Sequence, residues 1–96
     1  MNVLLVEDDE LLGKSLQLGF CEKAFQCHWM RTGKGAVSAA TSGKFDIVVL
    51  DLMLPDMSGL DVLSQLRKNA IPLPVLILTA LGSVEDRVQG LEFGAD

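Results

Sequence analysis

Short, unbroken apolar runs alternate along this chain with stretches in which apolar residues recur every three or four positions. Val3-Leu4-Leu5-Val6 is continuous, the pattern of a strand covered on both faces. From about Asp9 to Lys23 the period changes, and Leu12, Leu16 and Phe20 at i, i+4 and i+8 predict a helix. Gln26 to Met30 reads as a second strand, and Gly33 to Ser42 as an Ala-rich second helix. Phe45 to Leu50 is a third strand running onto Asp51. Ser58-Gly59-Leu60-Asp61 opens a third helix, a Ser-x-x-acid start with Leu60, Leu63 and Leu66 on one stripe. Pro74 to Leu78 is a fourth strand. Ser83 to Asp86 repeats the start signal for a fourth helix through Val84, Val88 and Leu91, which Gly94 is suited to end.

Alternation of buried strands with helices implies a parallel sheet with helices on both faces. No linker, repeat or low-complexity tract interrupts it, and 96 residues make one small domain. The chain is 49% hydrophobic and 22% charged, which is enough apolar material for one core. Its net charge of −5 argues against a nucleic-acid partner, which would need clustered Lys and Arg. No apolar run approaches the roughly 20 residues of a membrane span, and no signal-peptide pattern opens the chain. Cys21 and Cys27 are expected to be reduced thiols of a cytoplasmic protein. His28 beside Cys27 lacks the spacing of a metal finger, and Gly33 with Gly35 forms no phosphate-binding loop.

The chemistry lies at the strand ends. In open parallel sheets, ligands bind outside the carboxyl ends of the strands, where the strand order reverses. The residues leaving those ends are Glu7, Asp8 and Asp9 after the first strand, Asp51 after the third and Thr79 after the fourth. At least three carboxylates and a hydroxyl would therefore share one crevice. Like charges so close need a cation or a raised pKa, and Mg2+ suits carboxylates, waters and a phosphate oxygen. An Asp held there can attack phosphorus while the metal offsets charge on the transferring group. Asp9 has a second use as the cap of the following helix, a use that also remains open for Asp8.

Three ordered segments carry a family resemblance: Val6-Glu7-Asp8-Asp9, Leu50 through Gly59 (Leu-Asp-Leu-Met-Leu-Pro-Asp-Met-Ser-Gly), and Leu78-Thr79-Ala80. They resemble the receiver domains of two-component response regulators. Leu54 to Asp61 and Val84-Glu85-Asp86-Arg87 are closest in wording to the winged-helix (OmpR/PhoB-type) class. The resemblance covers the whole chain, residues 1–96, as one receiver domain. It implies a flavodoxin-like doubly wound sheet of order 2-1-3-4, with Asp51 as phosphoacceptor. Glu7 and Asp8 would hold Mg2+ (or Mn2+) directly or through water, with the Met53 backbone carbonyl as a further ligand. Thr79 would be the switch hydroxyl. The implied donor is a phosphohistidine of a sensor histidine kinase, and the full-length protein would be a DNA-binding transcriptional regulator.

The family pattern continues into a fifth strand ending in Lys and a fifth helix, and the sequence stops at Asp96 before either. Lys14, Lys23, Lys34, Lys44 and Lys68 do not stand in for that Lys. Two expectations follow: weakened phosphorylation, and a homodimer built through the opened sheet edge or the fourth helix rather than the family's usual face. Leu81 is read as a loop residue or as a shield of the phosphoryl group. The competing functions are an aspartyl-phosphate phosphohydrolase, a mononucleotide binder, and a fragment that folds and dimerises without accepting phosphate. The first needs an acid two residues after its nucleophile, where this chain has Met53. The second would meet a repelling acidic cluster.

Overall fold

A computed structural model describes residues 1–78. In chain order it consists of β1 (Asn2–Val6), α1 (Glu10–Glu22), β2 (Gln26–Met30), α2 (Gly33–Ala40), β3 (Ile47–Asp51), α3 (Gly59–Lys68) and β4 (Val75–Leu78). The expectations for Thr79, Leu81, the helix from Ser83 and its Gly94 stop lie outside the described residues.

The four strands form one parallel sheet of order β2-β1-β3-β4, the order expected. Alternate residues of each strand face opposite sides, so the continuous apolar runs divide between two cores. Leu4, Val6, Val48, Leu50, Val75 and Ile77 pack beneath α2 and α3, which contribute Ala36, Ala40, Val62, Leu63 and Leu66. Val3, Leu5 and Val49 face the other way, toward Leu16 and Phe20 of α1. Helices on both faces are what such strands demand, because neither side of the central strands β1 and β3 tolerates water. No described helix is long and apolar enough to cross a membrane.

Element edges differ from expectation by a few residues. The third strand starts at Ile47, because Asp46 is drawn to the Asn2 backbone N–H (2.7 Å). The second helix stops at Ala40 with Thr41 as its C-cap. In α1, Leu16 and Phe20 pack as the stripe required, but Leu12 is 43% exposed. Gly13 is the buried residue of α1 instead, because the Trp29 indole lies against it and leaves no room for a Cβ. Cys27 joins the α1-side core, whereas His28, the next residue along β2, meets Phe45 edge-on at 5.8 Å. Adjacent strand residues on opposite faces share no metal site.

Two helices end in an unusual way. After α1, Ala24 N–H donates to Cys21 O and Phe25 N–H to Phe20 O. After α3, Ala70 N–H donates to Arg67 O and Ile71 N–H to Leu66 O. Both are Schellman closures, and each puts an alanine at positive φ (66° for Ala24, 57° for Ala70) where glycine is usual. A left-handed non-glycine residue costs roughly 1–2 kcal/mol, partly offset in glycine by its greater unfolded-state entropy. Ala24→Gly and Ala70→Gly are each expected to raise stability by about 0.5–1 kcal/mol, read as a higher urea midpoint at unchanged slope.

Candidate metal centre

The site forms where β1 and β3 end side by side. Register pairs Val6 with Leu50, so the next residue of each strand emerges on the same rim. Glu7 and Asp51 are buried, at 3% and 6% exposure, and Asp8 is half-buried. One carboxylate oxygen from each of Glu7, Asp8 and Asp51 lies within 4.8 Å of the others. The three carboxylates predicted to converge therefore do so. Asp9 stands apart as the N-cap of α1, accepting from Leu11 N–H (3.0 Å) and Leu12 N–H (3.4 Å).

Electrostatics at this rim are adverse without a cation. Glu7 has its pKa pushed up from 4.5 to about 8, first by burial, then by its hydrogen bond to Asp51 and the charges of Asp51 and Asp8. Glu7 Oε2 is buried without a hydrogen-bond partner. A buried acceptor facing two further carboxylates is what a bound cation would satisfy, and an all-oxygen set suits a hard ion such as Mg2+ or Mn2+. The chemistry of the residues present fits the metal.

The loop after β3 shapes the other side. Met53 N–H donates to Asp51 Oδ1 (3.3 Å), orienting that carboxylate, while the Met53 side chain is 68% exposed. It offers no acid beside Asp51, consistent with the argument against a phosphohydrolase. Met53 also bridges Ser58 across the loop, and Gly59 N–H donates to Leu52 O (2.8 Å). At Gly59 a Cβ would strike the Asp51 carbonyl and Leu52 Cα, so the loop closes this tightly only over glycine. Ser58 caps α3 through Leu60 N–H (3.2 Å), as its start signal indicated.

Sequence reasoning missed Asp56. Its carboxylate accepts from Gly33 N–H (2.8 Å) and Lys34 N–H (3.0 Å), tying the loop after β3 to the first turn of α2. Those partners lie more than twenty residues away, beyond the reach of any local pattern; only its place after Pro55 marked it as a turn residue. These backbone N–H groups, with the Lys34 charge, hold its pKa below the usual 3.8. A carboxyl with a lowered folded-state pKa stabilises above its unfolded value and loses that contribution as pH falls through the folded one. Asp56→Ala is therefore expected to lower the urea midpoint at neutral pH, with the gap to wild type closing as pH falls below 3.8.

A parallel sheet of this order with an acidic crevice at its switch point defines a receiver-type domain. The chain belongs to that family: the model of the response regulator receiver domain matches residues 3–96. The transcriptional regulatory protein QseB of Haemophilus influenzae is 49% identical over 96 residues, covering 100% of this chain and 43% of that protein. Among solved structures, the receiver domain of the Francisella response regulator 1452 superposes with TM-score 0.91 at 34% identity, covering 99% of this chain and 78% of that one. The response regulator TrrA of Thermotoga maritima, in complex with Mg(2+)-BeF, gives 0.86 at 27% identity, with 99% and 81% covered. The chain spans less than half the length of the curated relatives it matches.

Proposed function

We propose that this chain is the phosphorylation-dependent switch of a two-component system, accepting a phosphoryl group from a phosphohistidine of a sensor histidine kinase onto Asp51. The observation that carries this reading is the meeting of the Glu7, Asp8 and Asp51 carboxylates at the β1/β3 rim. The Mg2+ in the Thermotoga relative supports it. Asp8, Asp51 and the Met53 carbonyl would hold Mg2+ (or Mn2+), with Glu7 contributing through water. Bound there, the ion would offset negative charge on the phosphoryl oxygens.

Everything else falls to the chain. Burial at the rim keeps bulk water from competing for Asp51, and Met53 N–H orients its carboxylate. An Asp51 oxygen forms the new P–O bond as the P–N bond of phosphohistidine breaks, and the departing imidazole keeps the electron pair and takes a proton. Thr79 supplies the hydroxyl that turns toward the phosphoryl oxygens. The product is a changed surface rather than a released metabolite, so the domain is a switch and not a turnover enzyme. The whole protein would be a cytoplasmic, winged-helix DNA-binding regulator whose DNA contacts lie outside this segment.

Mass spectrometry after acetyl phosphate and Mg2+ tests the reading. One added phosphoryl group, mapped to the peptide holding Asp51 and absent in EDTA, is expected. Label on another residue sinks the assignment. Mg2+ binding without label favours the alternative of a domain that folds and dimerises yet accepts no phosphate.

A further inference from the structure

Side chains from the end of the edge strand β2 grip the backbone on which the acidic pair stands. Trp29 Nε1–H donates to the Glu7 carbonyl (2.7 Å), and Arg31 Nη2 donates to the Asp8 carbonyl (2.7 Å). The Glu7 N–H is taken by the Met30 carbonyl (3.1 Å). Three consecutive peptide groups, from Val6–Glu7 to Asp8–Asp9, are thus fixed from one strand end.

The grip is itself supported. On one side the Trp29 ring lies against α1 at Gly13, where any side chain would displace it. The Arg31 guanidinium carbon lies 5.8 Å from the Trp29 ring centroid, within reach of a cation–π contact. An indole offers one donor and no acceptor, so with its N–H on the Glu7 carbonyl its polar capacity is spent.

This matters because a divalent cation takes the carboxylates of Glu7, Asp8 and Asp51 in their ionised forms, and in that state they repel one another. Left to a free backbone, the Glu7-Asp8 segment would relax outward and the three carboxylates would separate. We infer that Trp29, which holds the Glu7 carbonyl, and Arg31, which covers the indole and holds the Asp8 carbonyl, are positioning residues for divalent-cation capture, keeping the Glu7 and Asp8 carboxylates where they meet that of Asp51. The inference rests on the metal-site reading above and adds to it residues that touch neither metal nor phosphate.

Trp29→Phe is the decisive variant, since it keeps an aromatic ring, changes no charge and removes only the indole N–H and part of the ring. Arg31→Lys keeps the positive charge while losing the planar cover and the guanidinium bond to the Asp8 carbonyl. Mg2+ alone is titrated calorimetrically into wild type and both variants, and amide exchange is followed in EDTA. The expected result is Mg2+ affinity about tenfold weaker in Trp29→Phe, the scale for losing an outer-shell partner, with a smaller loss in Arg31→Lys. Exchange at the Asp8 and Asp9 amides should quicken in both without metal. A residue that only packs would lower the melting temperature yet leave Mg2+ affinity and those amides as in wild type, and that result overturns the inference. Should Trp29→Phe fail to fold, Arg31→Lys carries the test with the same readouts. A wild type that takes up no Mg2+ fails the metal-site reading and this inference together; equal affinities in wild type and variants fail this inference alone.

Discussion

Asp51→Asn is expected to abolish phosphoryl labelling and, in EDTA near pH 8, to make the protein more stable than wild type. The first effect follows because an amide is not the anionic nucleophile that forms the acyl phosphate. The second follows from the crowding at the rim. Asp51 raises the Glu7 pKa through both a hydrogen bond and its charge. An amide at position 51 removes the charge and offers an N–H to a neighbour whose Oε2 is buried without a partner. Relief equal to one pKa unit is ~1.4 kcal/mol, which in a domain this small raises the melting temperature by roughly 5–10 °C. Mg2+ should stabilise wild type and have little effect on the variant. The measurement is thermal melting of both proteins with EDTA or Mg2+, beside the mass-spectrometric label. A variant less stable than wild type in EDTA would show that the carboxylates do not strain the metal-free fold.

The acidic crevice is legible in the sequence because it depends on strand ends. A continuous run as short as Val3 to Val6, followed by a helical pattern, reads as a strand covered on both faces, and the residue after it emerges at the sheet rim. With Phe45 to Leu50 read the same way, Glu7, Asp8 and Asp51 converge by topology alone, and the structure brings them within 4.8 Å. The supports of that crevice are not legible in this way. Trp29 reads locally as an edge-strand aromatic, and its N–H finds Glu7 only once β2 pairs with β1. Gly13 looks like a weak point in a helix until the indole fills the space a Cβ would take. Asp56 reaches two amides of α2 across a crossover connection. Each depends on which elements become neighbours, information that periodicity does not carry. Leu16 and Phe20 are covered as their spacing indicated and Leu12 is not, for the same reason: a helix period marks a face, and the partner across it decides which residues are covered.

The largest pH effect should come from Glu7. Its ordinary pKa is 4.5 and its folded value about 8, so between these the unfolded chain ionises Glu7 while the folded protein holds its proton. A carboxyl with a raised folded-state pKa favours folding below its unfolded value, and that advantage is lost as pH rises to the folded one. In EDTA, stability should therefore decline from pH 4.5 to about 8 on account of this group, and then level off. Mg2+ offsets the decline. It binds the ionised site, so below pH 8 its uptake must expel the Glu7 proton, and its apparent affinity rises by up to about tenfold per pH unit. At a hundred times its dissociation constant, a ligand of the folded state adds about 2.7 kcal/mol, so Mg2+ should raise the melting point more at pH 8 than at pH 4.5. Glu7→Gln isolates the cause. Its amide has no charge to suppress, so the variant should melt above wild type at pH 8 in EDTA and show a flatter pH profile. Melting curves of both proteins, at paired pH values with and without Mg2+, decide the matter. A wild type that gains stability from pH 4.5 to 8 without metal, or a Mg2+ effect that does not grow with pH, would mean that Glu7 is not the proton-holding member of the cluster.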